Sequence, residues 1–291
     1  MTLQREETSK RITLPGSKGP ILLRRLSSLD EYRECVNLQE ETWGTGFAEH
    51  VPASILMVGQ KIGGVTAGAF DQRGQMIGFV FGLTGVKEGR PVHWSDMLAV
   101  RKEVRGLGLG LSLKLYQREL LIPLGVEEIY WTYDPLVARN AHLNLNRLGA
   151  EVAQYVVDMY PDDSGSELHR GIGMDRLVVV WRITSERVKR ILAGTPDRLS
   201  AGALDAPVVN SKLGADGRSL PSEGELKGVP SVKVEIPSDI HAVRNESLDA
   251  ARGWRASTRR AFQHYLKKGY AVKGFHREAS SGRCFYIVVG P

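Results

Sequence analysis

Cysteine is almost absent from this sequence, with only Cys35 and Cys284 among its 291 residues. The two cysteines lie far apart and lack the short spacing of a metal-binding pair. The sequence therefore predicts no metal centre. A disulfide between the two stays open, but no feature of the sequence favours one.

Long apolar runs are also missing. No segment approaches the roughly 20 apolar residues of a membrane-spanning helix. The first twenty residues, MTLQREETSKRITLPGSKGP, are polar and lack the apolar run of a signal peptide. Hydrophobic residues make up 42% and charged residues 25% of the chain, as in soluble globular proteins. We therefore expect a cytoplasmic protein that has no membrane partner.

The charge balance is modestly basic. The formal charge of +6 comes from 39 Lys and Arg against 33 Asp and Glu. Such an excess suits a ligand with several phosphates and would equally suit nucleic acid. Charge alone does not decide between these two partners.

Strand and helix patterns alternate between residues 21 and 185, which predicts an α/β fold. A stretch rich in Gly, Pro, Ser and Asp follows, and periodic patterns then return. The predicted segments are a flexible tail over 1–20, an α/β domain over 21–194, a linker or long loop over 195–230 and a C-terminal α/β extension over 231–291.

The most informative motif is the glycine-rich run Arg105-Gly106-Leu107-Gly108-Leu109-Gly110, which follows a strand predicted over His93–Val100. A helix is predicted next, from about Gly108 to Leu121. Glycines let the main chain turn so that several N–H groups point into one concavity, and the helix adds its positive dipole end. The run therefore predicts a pyrophosphate cradle. Arg101, Arg105 and Lys114 are near enough in sequence to add charge.

Two other phosphate loops fit less well. A dinucleotide-binding G-x-G-x-x-G run counted from Gly106 needs a third glycine where Leu111 stands. The acidic partner of the ribose is matched only approximately, by Glu127 and Glu128. A Walker loop is excluded because no Gly-Lys-Ser/Thr follows the glycines. A strand-to-helix turn without a ligand stays an alternative.

The run V-R-K-E-V-R-G-L-G-L-G resembles motif A of the GNAT superfamily of acyl-CoA N-acyltransferases, whose pattern is Q/R-x-x-G-x-G/A. Arg105, Gly108 and Gly110 occupy its three defined positions. The resemblance implies a mixed, splayed central sheet with flanking helices and an acyl-CoA as co-substrate. It also implies that the main chain of Leu98, Ala99 and Val100 pairs with pantetheine. The implied pyrophosphate ligands are the amides of Gly106, Leu107, Gly108, Leu109, Gly110 and Leu111.

The resemblance continues over Asn140–Ala150, which is similar to the motif B helix of that family. It implies that Asn140 and Asn144 contact the pantetheine amides. Many members carry a thiolate-protonating Tyr where this chain has Leu145, and Ala150 replaces the usual Phe. Three segments resemble a little-characterised bacterial branch of the GNAT superfamily. They are WTYDPLVARNAHLNLNRLGA, GIGMDRLVVVW and the V-E-I-P-x-D-I run of the C-terminal extension. Some of its relatives are linked to N-succinylation, so the acyl group is acetyl, succinyl or another small acyl.

Three side chains are candidates for the chemistry, which needs a base for the amine, a polarised carbonyl and a proton for the thiolate. Asp96 shares a strand face with Leu98 and Val100, and the alternative is an ordinary strand carboxylate. Asp134 ends a strand near the ligand crevice, and the alternative is a loop-shaping Asp. His142 lies on the motif B helix, where packing or surface exposure is the alternative. A main-chain N–H at a bulge around Leu98–Val100 would polarise the carbonyl.

Two charged features of the second half of the chain permit more than one interpretation. Asp175-Arg176, before the last strand of the α/β domain, either forms a structural ion pair or binds a carboxylate of the acyl group or substrate. The C-terminal helix is basic with interleaved aromatics, which suits a nucleic-acid surface. Its Trp254, Phe262 and Tyr265 have spacings compatible with one helix face, which favours packing instead.

These observations predict a cytoplasmic N-acyltransferase that moves the acyl group from CoA to an amine by direct attack. The acceptor is a small-molecule amine or an amino acid, and a homodimer is an open option. A GNAT-like module that binds acyl-CoA without turnover is the main alternative, because the motif B Tyr is missing. A nucleic-acid-binding protein built on the C-terminal helix is the third hypothesis, and it is not favoured.

Overall fold

The computed structural model describes residues 9–160 and 171–291. Within these ranges the chain forms two compact units. The first unit contains residues 9–131 and 182–184, and the second contains the remaining described residues. Each unit is described by itself below.

The first unit is built on a mixed sheet in which β1, β2, β3, β4, β5 and β6 are neighbours in that order. Successive strands are antiparallel except for β5 and β6, which are parallel. The elements are β1 (Lys10–Ile12), β2 (Ile21–Arg25), α1 (Leu29–Trp43), α2 (Ala53–Lys61), β3 (Val65–Phe70), β4 (Met76–Lys87), β5 (Arg90–Val100), α3 (Leu109–Leu121) and β6 (Glu128–Tyr133), whose last two residues belong to the second unit.

Helices cover this sheet, and its central strands are buried accordingly. Every residue of β3 is buried, and Leu38, Leu56, Phe79 and Phe81 form part of one core cluster. The start of α1 is fixed by Ser28, whose hydroxyl accepts the Glu31 N–H as an N-cap.

The second unit contains an antiparallel β7–β8 pair, a β9–β10 hairpin and an antiparallel sheet in the order β11-β13-β12. Its long helix is α8. The elements are α4 (Ala138–Ala141), a π-helical turn (His142–Arg147), β7 (Glu151–Val156), β8 (Arg176–Arg182, its last residue in the first unit), α5 (Glu186–Leu192), α6 (Ala201–Leu204), β9 (Ser211–Leu213), β10 (Ser219–Pro221), β11 (Ser231–Ile236), α7 (Ile240–Glu246), α8 (Leu248–Lys267), β12 (Ala271–Arg277) and β13 (Cys284–Val289).

The aromatic residues of α8 are packed inward. Trp254, Phe262 and Tyr265 are all buried, and the Phe262 ring lies 5.3 Å from that of Tyr155 and 5.2 Å from that of Tyr286. The packing interpretation of this helix is confirmed. These aromatics are therefore not available to stack on nucleic-acid bases.

The segment 195–230, predicted as a linker or long loop, contains α6 and the β9–β10 hairpin. Within it, Asn210 is 1% exposed, and its side-chain amide makes two hydrogen bonds with the main chain of Glu235 in β11, at 2.7 and 2.8 Å. The segment is thus attached to the C-terminal sheet. The tail predicted over 1–20 likewise includes the short strand β1, which pairs with β2.

The predicted fold class is confirmed. A mixed sheet with flanking helices is followed by an extension of helices and strands. Among the described residues, no helix is both long and apolar enough to cross a membrane.

Candidate functional site

An open strand edge lies in the middle of the first unit. β5 pairs with β4 along its whole length. On its other side it pairs with β6 only from Val92 to Trp94, opposite Glu128 to Tyr130. From Ser95 to Val100, no described residue of β6 pairs with β5. The two parallel strands therefore splay, and main-chain groups of β5 can hydrogen-bond to an extended ligand.

Asp96 is the extra residue in the pairing of β4 with β5. Met97 lies opposite Phe81 and Ser95 lies opposite Gly82, so Asp96 has no residue opposite it. A bulge of this kind re-aims a side chain and is common beside active sites. Asp96 is exposed, whereas both of its neighbours in the strand are buried.

The position of the bulge corrects one expectation. The resemblance places it around Leu98–Val100, whereas these residues pair in regular register with β4.

The surrounding protein removes enough water from the Asp96 carboxyl to raise its pKa, even though the side chain is exposed, and the charge of Glu49 adds to the shift. A carboxyl with a raised pKa is a better proton acceptor than an ordinary aspartate. The role of Asp96 as base stays a prediction.

The glycine-rich run forms a loop that leaves its amides free. Gly106 and Gly108 have φ of +84° and +92°, which strains any residue with a side chain. A Cβ atom at either glycine would meet no atom within 4 Å, so the loop borders open space. Among the described residues, the N–H groups from Gly106 to Leu111 have no hydrogen-bond acceptor of good geometry.

The same loop ends at the N-terminus of α3, where Gly108 is the N-cap and no side chain caps the helix. The unpartnered amides and the helix dipole therefore act on the same space. This arrangement suits an anion with several oxygens. The residues present fit the pyrophosphate of CoA, as the motif predicts.

Of the three cations expected at the loop, only Arg105 is placed to serve it. Arg105 is exposed, and its Nε donates to the Val100 carbonyl at 2.9 Å. Arg101 is ion-paired with both Glu34 and Glu41. Lys114 is buried and turned toward the sheet. The prediction that Arg101 and Lys114 add charge at the phosphate is therefore wrong.

Lys114 begins a buried chain of polar groups between α3 and β5. It is 5% exposed, and its Nζ donates to Ser95 Oγ at 2.6 Å and lies 4.0 Å from the centre of the Trp131 ring. Ser95 Oγ donates to Gln117 Oε1 at 2.9 Å. Gln117 Nε2 lies 3.0 Å from His93 Nε2. No carboxylate among the described residues forms an ion pair with Lys114.

Burial shifts the titration of both ends of this chain. It lowers the pKa of Lys114 from 10.5 to about 7. It also lowers the pKa of His93 to about 3, with the charges of Lys114 and Arg25 adding to the effect. His93 is therefore neutral, with Nε2 accepting from the Gln117 amide. Its Nδ1, 3.0 Å from Thr84 Oγ1, carries the proton. The one sequence signal of this network is the three-residue spacing of Lys114 and Gln117 on one helix.

In the second unit, the helix that resembles motif B has two parts. It begins as α4 and continues as the π-helical turn, where the Leu148 N–H donates to the Leu143 carbonyl at 2.9 Å. Turns of this type are frequent at functional sites. Asn140 is half-buried and Asn144 is buried. Their contact with pantetheine stays a prediction.

Asn146, which was not selected from the sequence, fixes the end of the motif B helix. Its Nδ2 donates to the Phe275 carbonyl at 2.7 Å, and its Oδ1 accepts the Phe275 N–H at 3.2 Å. The orientation of the amide is thereby set, so Nδ2 donates to His142 Nδ1 as well, at 3.2 Å. Leu145, where many GNAT members have Tyr, is buried. It has no hydroxyl to protonate a thiolate.

His142 is exposed on the π-helical turn. Partial burial lowers the pKa of its imidazole, and the charge of Arg147 lowers it further. The ring is neutral near pH 7 with its proton on Nε2, since Nδ1 accepts from Asn146. A catalytic role for His142 stays a prediction.

Asp134 is buried, and both of its oxygens have partners. Oδ1 accepts the Leu136 N–H at 2.8 Å. Oδ2 accepts from Arg255 Nη2 at 2.7 Å and lies 3.9 Å from Arg176. These contacts favour the loop-shaping role over the catalytic one, because an ion-paired carboxylate is a weak base.

Asp175 and Arg176, for which an ion pair was one interpretation, each form an ion pair with a different residue. Asp175 is fully buried and ion-paired with Arg259 at 2.6 Å, and it also accepts from the Tyr155 hydroxyl. Arg176 Nη1 donates to the Asp175 main-chain carbonyl at 3.0 Å, and the carboxylate it pairs with is that of Asp134, at 3.9 Å. Both residues thus have structural partners. Among the described residues, no His, Cys, Asp and Glu side chains form a group of three that could hold a metal ion.

Comparison with known proteins gives similarity in structure only. No protein-family model matches the chain, and no curated protein matches it. A putative GNAT-family acetyltransferase from Desulfovibrio desulfuricans is 17% identical, covers 56% of this chain and 99% of its own, and has a TM-score of 0.44. A putative acetyltransferase from Acinetobacter baylyi is 15% identical, covers 57% of this chain and 93% of its own, and has a TM-score of 0.46. The ribosomal-protein-S18-alanine N-acetyltransferase of Escherichia coli is 18% identical, covers 57% of this chain and 95% of its own, and has a TM-score of 0.44.

Proposed function

We propose that this chain is an acyl-CoA-dependent N-acyltransferase of the GNAT type. It transfers an acetyl, succinyl or other small acyl group from CoA to an amine. The observation that carries the proposal is the row of unpartnered amides from Gly106 to Leu111, which directly follows an open strand edge. A pyrophosphate with an extended amide-containing arm is the ligand chemistry that fits both features.

Each part of this ligand has a counterpart in the first unit. The loop amides and Arg105 bind the pyrophosphate, because each amide offers one N–H and the guanidinium adds charge. The main chain of Leu98, Ala99 and Val100 pairs with the pantetheine arm as a further strand would. The thioester then lies near the bulge at Asp96.

In the reaction, the amine nitrogen attacks the thioester carbonyl carbon, and the C–S bond breaks. Asp96 accepts a proton from the amine, and CoA leaves as a thiolate that must be protonated. Leu145 has no proton to give, so the thiolate takes its proton from another group or from water. A main-chain N–H of the strand polarises the carbonyl. The acceptor is a small-molecule amine or an amino acid.

Thiol release separates turnover from simple binding. The full chain is incubated with acetyl-CoA or succinyl-CoA and a panel of amines and amino acids, and free CoA thiol is measured. We expect release that depends on the amine. CoA binding by calorimetry with no release for any amine would instead support the alternative, a GNAT-like module that binds acyl-CoA without turnover.

Replacement of Gly108 by valine tests the loop. The branched side chain disfavours the left-handed φ and occupies the open space beside the amides. We expect the affinity for CoA to fall about tenfold or more, which corresponds to about 1.4 kcal/mol. Gly74→Val is the matched control, because Gly74 has φ of +76° and open space in the β3–β4 turn. Equal CoA affinity in both variants would exclude the loop as the phosphate site.

Replacement of Asp96 by asparagine tests the base. We expect kcat to fall by about tenfold to a hundredfold, because general bases contribute about this much or more, while CoA affinity is unchanged. The raised pKa of Asp96 also predicts that wild-type activity declines as pH falls through this pKa, when the base becomes protonated. Asp30→Asn, on the exposed start of α1, is the control. A kcat and pH profile unchanged by Asp96→Asn would remove Asp96 from the mechanism.

A further inference from the structure

Gln117 of α3 joins two residues of β5 that lie just before the bulge at Asp96. Its Oε1 accepts from Ser95 Oγ at 2.9 Å, and its Nε2 lies 3.0 Å from Nε2 of His93. Gln117 and His93 are 0% exposed, and Ser95 is 4% exposed. The proposed acyl transfer gives none of these three side chains a role.

The hydrogen bonds of this buried chain run in one direction. The Nδ1 of His93 donates to Thr84 Oγ1 at 3.0 Å, and this hydroxyl donates to the Gly63 carbonyl at 2.9 Å. The carbonyl can only accept, and the charged amine of Lys114 at the other end can only donate. The amide of Gln117 is therefore held in one orientation.

The bulge reverses the face to which β5 turns its buried side chains. In a regular strand the side chains alternate, so residues two positions apart share one face of the sheet. Ser95 faces α3, whereas Met97 belongs to the core cluster that contains Leu38 of α1 and Leu56 of α2. Asp96, the extra residue, makes this reversal possible.

One anchor on each face of the sheet holds the bulge. After Asp96, the apolar core holds Met97. Before it, the amide of Gln117 holds His93 and Ser95 on the α3 face. Without this second anchor, β5 can shift by one residue, which returns Asp96 to the regular alternation of the strand.

Gly82 of β4 is independent evidence that the imidazole belongs at this position. Gly82 lies opposite Ser95, and a Cβ atom on it would stand 2.2 Å from Nε2 of His93. A side chain at this position would therefore displace the imidazole. The glycine leaves the space that the hydrogen bond between His93 and Gln117 needs.

We infer that Gln117 is a positioning residue for Asp96. By fixing His93 and Ser95 against α3, it holds the bulge in register and keeps the Asp96 carboxyl beside the open edge of β5. This inference rests on the proposed function, in which Asp96 is the base. Gln117 itself contacts neither the acyl-CoA nor the amine.

The first measurement follows the Asp96 carboxyl itself and needs no turnover. The full chain is isotope-labelled at the aspartate carboxyl carbons for NMR, and the Asp96 signal is the one missing from Asp96→Asn. The surrounding protein raises the pKa of Asp96, the Trp94 side chain lowers it, and the charge of Glu49 raises it. We expect Gln117→Met to lower this pKa toward the ordinary value of about 3.9, because the released carboxyl meets more water.

The second measurement compares turnover with CoA affinity. We expect Gln117→Met to lower kcat about tenfold, because a displaced base accepts the proton less well. CoA affinity, measured by calorimetry, should stay unchanged, because Leu98–Val100 lie beyond the bulge. Gln75→Met, at an exposed position of the β3–β4 turn, is the matched control and should change neither the Asp96 pKa nor kcat.

The outcomes separate this inference from the proposed function. A lower Asp96 pKa and a lower kcat in Gln117→Met, with Gln75→Met like wild type, would support it. An unchanged Asp96 pKa, or an unchanged kcat where the wild type is active, would overturn it. A wild type without amine-dependent thiol release would remove the proposed function, and the Asp96 pKa would still decide whether Gln117 fixes the bulge.

Circular dichroism checks that Gln117→Met is folded. If it is not, Ser95→Ala decides by the same two measurements, because it removes one of the two hydrogen bonds of the Gln117 amide. A purely structural role for Gln117 would lower stability and leave the Asp96 pKa where it is in the wild type.

Discussion

Replacement of Lys114 by methionine is expected to stabilise the protein by about 3 kcal/mol at about pH 6. The shift of the Lys114 pKa from 10.5 to about 7 means that burying the charged amine costs roughly 4–5 kcal/mol. The variant loses the hydrogen bond to Ser95 and the contact with the Trp131 ring, which together offset about 2 kcal/mol. Ser95 keeps a partner, because its hydroxyl donates to Gln117.

The gain should depend on pH in a defined direction. The folded-state pKa of Lys114 lies below the unfolded-state value, so between pH 7 and 10.5 the unfolded chain holds a proton that the folded chain lacks. The wild type therefore gains stability as pH rises through this window, and Lys114→Met does not share that gain. The difference between the two proteins is largest below about pH 7 and shrinks toward about pH 10.

Urea unfolding at about pH 6 and about pH 9.5 measures both effects. Lys102→Met, at an exposed position before the glycine loop, is the matched control and should change the free energy of unfolding by less than about 0.5 kcal/mol. A destabilised Lys114→Met variant, or a difference from wild type that does not vary with pH, would contradict a charged-amine penalty at this position.

Replacement of Arg255 by methionine should lower the free energy of unfolding by about 3–5 kcal/mol. Asp134 and Arg255 are each less than 5% exposed, and removal of the arginine leaves a buried carboxylate without its nearest cation. Burial lowers the pKa of Arg255, but the charge of Asp134 and its hydrogen bond raise it by more. Arg255 is therefore charged at all ordinary pH values, and the pair is a true ion pair.

The double variant Asp134→Asn with Arg255→Met separates the buried charge from the loss of packing. It should recover about half or more of the stability lost in Arg255→Met, because an amide is less costly to bury than an unpaired carboxylate. Arg252→Met, at an exposed position of the same helix, is the control. If Asp134→Asn alone also leaves kcat unchanged, Asp134 is excluded as a catalytic group. No recovery in the double variant would show that packing, not charge, dominates at Arg255.

Local patterns allowed much of the fold to be predicted. The ends of α2 and β3 follow from local sequence, because their neighbours, Pro52 and a Gly63-Gly64 pair, interrupt regular structure. β1 was placed in the tail because it consists of three residues, too few for a pattern. The glycine loop could be recognised because main-chain amides, not particular side chains, are expected to bind its ligand. The spacing of its glycines is therefore enough to identify it.

Other features depend on contacts between distant residues. Lys114 was expected at the phosphate because it lies near the glycines in sequence, but its helix turns it toward Ser95 in the sheet. Lys114 and Gln117 are three residues apart on the helix that packs on the sheet, and this spacing was the one signal of an inward-facing polar pair. The bulge at Asp96 depends on how β5 aligns with β4, and no local sequence pattern specifies that register. The partner of Asp134 lies 121 residues away.

The two hydrogen bonds between Asn146 and Phe275 have a consequence for the order in which the chain acquires its shape. They join residues that are 129 positions apart, and the Tyr286 hydroxyl reaches the Pro135 carbonyl across 151 positions. During synthesis the motif B helix is complete long before these partners leave the ribosome. The second unit can therefore close only after β12 and β13 have been synthesised, and its slow step should be the arrival of these two strands. Deletion of residues 231–291 would leave the motif B helix without these partners rather than produce a smaller complete domain.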